Sequence, residues 1–213
     1  MLFRPKPTFK DRVWTSQGLK EHDIIRGVRS SLNAGKIPVA VVHFYKSITY
    51  FSHLFIRNGL KVHQMQGLSE LDGSSHDPGH PEAQVLLMDS DLVTRNALKS
   101  FGRDQKELQY DLHLLERYPL PEPDQRILDL VNLRHDFSPP TAYVALDEPW
   151  IIETMGDRFT EILDRLGMNR NEVIEHSMIS SSLRQAQRKM EEKVVRDYPQ
   201  DSQEKWLAFN LKA

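Results

Sequence analysis

Two groups of carboxylate and imidazole side chains have the residue types that bind divalent metals. His76, Asp77 and His80 share one short stretch, and imidazole nitrogens with a carboxylate oxygen are common zinc ligands. That stretch is rich in Gly, Ser and Pro and offers no further ligand nearby, which favours a surface loop with incidental histidines. Asp89 and Asp91 could bind Mg²⁺ where a strand ends, but the same residues can cap a following helix. We favour capping, and the sequence predicts no metal site.

Three hydroxyl groups occur together at Ser180, Ser181 and Ser182, close to His176. A Ser–His hydrolase needs an acidic group that orients the histidine and a sharp turn that exposes the serine. Neither is recognisable around these residues. We therefore predict no catalytic residues.

Alternating apolar runs and amphipathic stretches form the framework that would position a site. Apolar runs predict strands at residues 37–44, 60–65, 83–88, 108–115 and 141–146. Helical periodicity predicts helices at residues 16–33, 46–58 and 125–133. Residues 1–15 are predicted to be extended, and the Gly- and Pro-rich residues 66–82 to form an exposed loop. This alternation of strands and helices along the chain predicts an α/β fold, a mostly parallel sheet with helices on both faces.

The chain is predicted to be helical after Asp147. Four apolar residues share one face of a first helix: Phe159, Ile162, Leu163 and Leu166. A long charged helix is predicted at residues 178–195, and Pro199 ends it. The tail that follows has an apolar face made by Trp206, Leu207 and Phe209. That face can dock on a partner or on its own domain, and we favour its own domain.

Three motifs in the last third carry a resemblance to a known family. They are D-R-L-G-M at residues 164–168, I-E-H-x-M at 174–178 and A-Q-x-K-x-E at 186–191. In this order they resemble the exit of the second nucleotide-binding domain of the SecA preprotein translocase ATPase, which is a RecA-like domain of the helicase C-terminal type. The resemblance implies a RecA-like domain at residues 1–168, with the extended segment 1–15, and a helical extension at residues 169–213 that is similar to the start of the SecA helical scaffold.

Looser similarity runs upstream of these motifs. The stretch Gly35 to Gly59 resembles the family's opening strand–helix unit, and Glu116-Arg117 resembles the end of its G-L-x-V-x-G-T-E-R strand. Residues 141–147 resemble its R-F-Y-L-S-L-E-D strand. The resemblance thus covers the chain from about residue 8 to residue 192.

The segments that contact nucleotide in this family are altered here. No G-x-x-x-x-G-K-[ST] P-loop occurs in the sequence, although the family keeps that loop in its first motor domain. Residues 89–96 correspond to the family's T-N-M-A-G-R-G-T-D-I segment, but they lack its glycines and retain only Arg95. An ungapped count from Glu116 places three leucines where the family has arginines: Leu128, Leu130 and Leu133. Leucine cannot make the bidentate phosphate contacts of arginine.

Two functional hypotheses follow from the resemblance. In the first, the chain is a SecA-like pseudo-motor domain, degenerate in its nucleotide motifs, that acts by protein–protein contact without a cofactor and without ATP hydrolysis. In the second, it is the working half of a split translocase ATPase. That half would bind ATP and Mg²⁺ at an interface with a P-loop partner through Arg95, Arg126 and Arg134. We favour the first, because both nucleotide-contacting segments have changed together.

The partner in both hypotheses is a protein, either a P-loop SecA-like domain or a component of a translocation machine. The composition agrees with a folded domain, since 39% of the 213 residues are hydrophobic and 27% are charged. The absence of cysteine excludes disulfides and thiolate metal sites. Because neither a secretory signal nor a long apolar stretch is recognised, we expect a cytoplasmic protein.

Charge is distributed unevenly along the chain. The net charge is −2, but residues 1–61 contain eleven Lys or Arg and only three carboxylates, so this third is about +8 and the remainder about −10. Such asymmetry can mark a surface for an acidic partner or for peripheral contact with anionic lipid, and we favour a solvated surface. No basic run with interleaved aromatic residues occurs, so we predict no nucleic-acid binding.

Overall fold

A six-stranded sheet forms the centre of the computed structural model, which describes residues 7–72, 84–100, 108–156, 161, 169 and 171–211. The strands are β1 (Lys10–Trp14), β2 (Ile37–Val42), β3 (Lys61–Gln64), β4 (Gln84–Asp89), β5 (Tyr110–Leu114) and β6 (Thr141–Ala145). Their order across the sheet is β1-β6-β5-β2-β4-β3. Every neighbouring pair is parallel, as predicted.

The central strand β2 is apolar throughout because both of its faces are covered. Residues 38–42 are all buried, which is typical of strands in the middle of a parallel sheet. Pro38 lies at the start of β2, where pairing with β4 has not yet begun and first involves Val39. The missing N–H of proline therefore costs no ladder hydrogen bond on that side.

Helices cover both faces of the sheet. One face packs against α1 (Gln17–Asn33) and α2 (Tyr45–Arg57), through a core that includes Ile24, Val28, Phe51 and Phe55. The other face packs against α4 (Pro121–Leu133), and this layer also contains α3 (Arg95–Ser100) and the 3₁₀ turns Leu68–Asp72 and Ser90–Leu92. The predicted α/β architecture, a parallel sheet with helices on both faces, is confirmed.

Three further helices pack against one end of the sheet. They are α5 (Pro149–Met155), α6 (Ser177–Lys193) and α7 (Gln203–Asn210). Helices α5 and α6 share a core with β1 and β6 that contains Val13, Val144 and Trp150. A second core joins Met190 of α6 and Trp206 of α7 to residues that follow β2 and β5. The helical extension therefore folds back onto the sheet.

The tail helix α7 docks on its own domain, which was the favoured prediction. Trp206 is fully buried and Leu207 is half-buried, whereas Phe209 faces outward with 57% of its surface exposed. No helix within the described ranges is long and apolar enough to cross a membrane.

Three predictions of local structure differ from the structure. The predicted exposed loop at residues 66–82 is wrong at residues 68–72, which form a 3₁₀ turn that buries Leu68 and Leu71 in the core. Residues 10–14 of the predicted extended segment form edge strand β1. Helix α4 begins at Pro121 instead of residue 125, because proline is well tolerated in a first helical turn, where the N–H has no helical partner. The helix predicted through Phe159 and Leu166, and the motif at residues 164–168, fall outside the described residues except for Glu161. The domain boundary at residue 168 stays a prediction.

Candidate functional site

Parallel sheets of this type usually bind ligands at the carboxyl ends of two neighbouring strands, which here are β2 and β5. The two strands are neighbours, and the chain leaves β2 toward β3 on one side and β5 toward β6 on the other. Such a switch point leaves a crevice outside the carboxyl ends of the strands. The residues at this crevice are His43 and Phe44 after β2, and Glu116 and Arg117 after β5.

The carboxylate of Glu116 occupies the N-terminus of α2. Its Oε1 accepts hydrogen bonds from the backbone N–H of His43 at 2.9 Å and of Phe44 at 3.1 Å. Its Oε2 accepts from the Ser47 hydroxyl at 2.8 Å. Burial raises the pKa of Glu116, an effect that His43 and these hydrogen bonds partly offset. Free N–H groups at a helix N-terminus bind phosphate. Here Glu116 takes the N–H of the N-cap residue Phe44 and of His43 before it, and the N–H of Lys46 donates to the Asp201 carbonyl at 3.0 Å. A carboxylate in this position repels a phosphate, so the residues present do not favour a phosphate group at this helix end.

Arg117 is held between two buried carboxylates. It donates to Asp124 Oδ2 at 2.9 Å and also to Asp11. Burial alone would lower the pKa of Arg117, yet Asp124 and Asp11 hold it above its usual value. Burial alone would likewise raise the pKa of Asp124, but Arg117 and His43 hold it below its usual range. The Arg117 guanidinium group is therefore bound to two carboxylates of the same chain.

His43 and Gln187 complete the network around Asp124. His43 Nε2 lies 2.8 Å from Asp124 Oδ1, and Nδ1 lies 2.9 Å from Ser90 Oγ. Because a carboxylate only accepts hydrogen bonds, Nε2–H donates to Asp124, and Nδ1 shares a hydrogen bond with the Ser90 hydroxyl. Gln187 of α6 donates to Asp124 Oδ2 at 2.7 Å and to the Tyr118 carbonyl at 2.9 Å. The helical extension therefore bonds directly to the crevice.

Aromatic rings cover the same end of the sheet. Tyr118 stacks on Phe44 with ring centroids 5.4 Å apart and meets Trp206 edge-on at 5.6 Å. The Tyr118 hydroxyl donates to Asp197 at 2.9 Å, and Trp206 Nε1 donates to the same carboxylate at 2.7 Å. Helix α7 is anchored over the crevice by these contacts.

An open cleft of about 550 Å³ lies beside the crevice, between the N-terminal ends of α1, α2, α5 and α7. Its charged walls are largely paired internally. Lys20 Nζ donates to Glu148 Oε1 at 2.7 Å, and both side chains are buried. Lys46 lies 4.0 Å from Asp201. The lining has four carboxylates and two lysines, so the cleft is polar with an excess of negative charge.

The three arginines named from the sequence do not come together. Arg95 is exposed at the start of α3, after the carboxyl end of β4. Arg126 is partly exposed on α4, with Nη2 4.0 Å from Asp91. Arg134 is fully buried and pairs with Asp136, whose carbonyl accepts from the N–H of Tyr110, the first residue of β5. Arg134 thus lies at the amino edge of the sheet, opposite the crevice.

The remaining residues named from the sequence have structural roles where they are described. Asp89 caps the turn after β4 by accepting from the N–H of Asp91 at 2.8 Å, and His176 caps α6 by accepting from Met178 at 3.2 Å. Leu130 is buried in the core under α4, whereas Leu133 is 53% exposed. The segment with His76 and His80 lies outside the described residues. Within the described part of the chain, no group of three metal-ligating side chains is found.

Sequence reasoning missed several residues of the crevice. No local pattern indicated Asp11, Asp124 or Gln187. Asp11 is 106 residues away from its partner Arg117, and Gln187 is 63 residues away from Asp124. His43 did give one, since it interrupts the apolar run of a central strand. A polar residue at the end of a buried strand indicates a hydrogen-bonded site.

Comparison with known proteins links part of the chain to SecA. It is 32% identical to the SecA translocase subunit of Christiangramia forsetii over 77 residues, which is 36% of this chain and 7% of that protein. It is 33% identical to SecA of Dechloromonas aromatica over 82 residues, 38% of this chain and 9% of that protein. With SecA of Dichelobacter nodosus it shares 47% identity over 49 residues, 23% of this chain and 5% of that protein.

The matched segment therefore spans less than a tenth of each SecA protein. No protein-family model matches the chain. Among solved structures, the C-terminal part of the Fun30 ATPase domain matches with a TM-score of 0.40 and 10% identity, over 81% of this chain and 54% of that one. The chain is similar to SecA over about a third of its length and has an α/β fold with a parallel sheet.

Proposed function

We propose that this chain is a SecA-like domain that acts through contacts with other proteins in the cytoplasm and does not hydrolyse ATP by itself. Its sequence similarity to SecA connects it to protein translocation at the level of the family. The partner we propose is a translocation component or a P-loop SecA-like domain. The proposed loss of ATP hydrolysis goes beyond this similarity and depends on the geometry of the crevice.

The observation that carries the proposal is the position of Glu116. A nucleotide phosphate at the switch point would lie against the turn that leads into α2, where Glu116 already accepts from the N–H groups of His43 and of the N-cap residue Phe44. The Glu116 carboxylate would repel a phosphate placed there. Arg117 is paired with Asp11 and Asp124, and it could turn to a phosphate only by giving up these buried ion pairs, which typically costs about 3–5 kcal/mol.

The test uses the full chain with ATP and Mg²⁺. We expect no phosphate release above the buffer background and no binding of a fluorescent ATP analogue at low micromolar concentration. Clear hydrolysis, or low-micromolar binding that unlabelled ATP displaces, would overturn the proposal.

The alternative, a working half of a split ATPase, has one specific observation in its favour. Arg95 and Arg126 both lie at or near the carboxyl edge with their side chains at least partly exposed, so a partner could reach them. A P-loop SecA-like domain lacking its own second half would be mixed with this chain, and ATP turnover measured. Turnover that depends on this chain and is lost in the Arg95→Ala, Arg126→Ala double variant, but kept in the exposed α6 control Arg188→Ala, would establish the alternative.

A further inference from the structure

Four of the basic residues in the first third of the chain are exposed on or beside the α1–α2 face. We define the basic surface as Arg26 and Arg29 of α1, Arg57 at the end of α2, and Lys61 at the start of β3. All four residues are exposed. Arg29 Nη2 donates to the Asn58 carbonyl at 2.7 Å, which brings the arginines of α1 next to Arg57. The sequence could not show that these residues share one surface.

Internal carboxylates neutralise only part of this surface. Asp23 is buried and is shared by Arg12, Trp14 and Arg26. Glu21 accepts from the Tyr50 hydroxyl. Arg29 and Arg57 have no carboxylate within ion-pair distance among the residues that the structure describes. Since like charges one helical turn apart repel, an anionic group placed here would relieve the repulsion that Asp23, which pairs with Arg26, does not offset.

A groove of about 400 Å³ runs along the same side of α1. It is lined by His22, Ile25, Arg26, Arg29, Ser30 and Asn33, which lie on successive turns of the helix. The groove gives side chains of a partner room to lie between the cations. It is also separate from the crevice, because the N-terminus of α1 lies at the carboxyl edge and its C-terminal half points toward the amino edge.

We propose that the basic surface binds an acidic segment of a partner protein, an inference that rests on the proposed role in protein contact and names the chemistry of the contact. Three of its four cations are arginines, whose planar guanidinium groups match carboxylates in a two-bonded geometry. A membrane surface is disfavoured, because stable peripheral binding requires an apolar face or a larger basic cluster. Near Arg57, the large exposed apolar residues described are Ile56, at 58%, and Tyr50, at 47%, whose hydroxyl donates to Glu21, and two such residues do not make a broad apolar face.

The test measures fluorescence anisotropy of a labelled helical peptide with glutamates at positions i, i+3 and i+7, titrated with the full chain at low salt. The charge-reversed double variant Arg29→Glu, Arg57→Glu should bind about tenfold more weakly. The matched control Arg184→Glu, Arg188→Glu reverses two exposed arginines on α6 and should bind like the unmodified chain. A glutamine version of the peptide should not bind.

Circular dichroism and the melting temperature of both double variants establish that they are folded. Unchanged binding by Arg29→Glu, Arg57→Glu, equal loss in the α6 control, or no glutamate-dependent binding at all would overturn the inference. Tighter binding to anionic lipid vesicles or to single-stranded RNA than to the peptide, lost in the same variant, would also overturn it and name the other partner class. The ATP measurements described above decide the proposed function separately, so the two failures are distinguishable.

Discussion

At the scale of single residues, the crevice is held together by buried charged groups that pair with one another. Arg117 bridges Asp11 and Asp124, and Asp124 also accepts from His43 and Gln187. Removing one member of such a network leaves another charge buried and unpaired, which destabilises a protein far more than the pair itself stabilises it. The network therefore fixes the crevice in one arrangement.

His113 provides a residue-scale prediction about pH. Its ring is buried in the middle of the sheet, with Nε2 2.9 Å from Ser31 Oγ and Nδ1 3.0 Å from Tyr143 Oη, and burial lowers its pKa to about 4. In the unfolded chain His113 has the ordinary histidine pKa of about 6.5. Between that pH and about 4, His113 therefore binds a proton in the unfolded chain but not in the folded chain. The free energy of unfolding should therefore fall as the pH drops from about 6.5 toward 4, by about 2 kcal/mol between pH 7 and pH 5.

Urea unfolding at pH 7 and pH 5 measures this effect. His113→Gln should remove most of the pH dependence, because glutamine keeps hydrogen-bonding capacity and does not titrate in this range. His53→Gln, at an exposed position of α2, is the control and should leave the pH dependence unchanged. Equal pH dependence in the chain with and without His113 would contradict the prediction.

The residues of the site were harder to predict than the strands that carry them, for a physical reason. Hydrogen bonds such as the one from Gln187 to Asp124 join positions 63 residues apart, and no local pattern encodes a pairing at that distance. The N-terminus of α1 shows the same limit. Ser16 occupies the N-cap position without a capping side-chain bond, and Asp147, which follows β6, accepts from the Gln17 N–H at 3.1 Å instead.

At the scale of elements, the apolar runs predicted the five strands β2 to β6 to within a few residues of their bounds in the structure. Strand β1 was predicted only as extended chain, because its sequence begins with Lys10, Asp11 and Arg12. An edge strand pairs on one side only and can keep polar residues. Here Lys10 is exposed, whereas Asp11 is buried because it pairs with Arg117, so no apolar run is left to recognise.

Gly27 in the middle of α1 gives a prediction at this scale. A methyl group at that position would lie 2.2 Å from the Tyr143 hydroxyl oxygen, so helix and sheet approach closely because glycine has no side chain. Gly27→Ala should lower the free energy of unfolding by about 1–3 kcal/mol through this overlap, although alanine favours helix more than glycine does. Urea unfolding at neutral pH gives the value.

Two further variants test that explanation. Gly18→Ala changes the same helix where nothing lies within 4 Å, and it should be neutral or should stabilise by up to about 1 kcal/mol. In a Tyr143→Phe background, Gly27→Ala should cost clearly less, because the clashing hydroxyl is gone. If the cost is the same in both backgrounds, contact with Tyr143 is not the cause.

At the scale of the whole molecule, the helical extension is joined to the sheet through the candidate site itself. Met190 and Trp206 complete a core with Phe44 and Tyr118, and Ile174 forms a backbone bridge to Val13 of β1. Contacts with both the first and the last strands of the sheet should make residues 171–211 part of one cooperative unit with the RecA-like fold. The extension also keeps the carboxyl edge covered.

Replacing Trp206 tests whether the extension and the sheet unfold together. The side chain is fully buried and donates to Asp197, so Trp206→Ala should lower the free energy of unfolding by about 3–5 kcal/mol. If the molecule is one unit, tyrosine fluorescence and far-ultraviolet circular dichroism should shift to the same lower urea midpoint. Phe209→Ala, on the exposed side of the same helix, should change the midpoint little. Proteolytic release of residues 177–211 from Trp206→Ala, while the remaining fold keeps its original midpoint, would instead show that the extension is a separate unit that can leave the carboxyl edge uncovered.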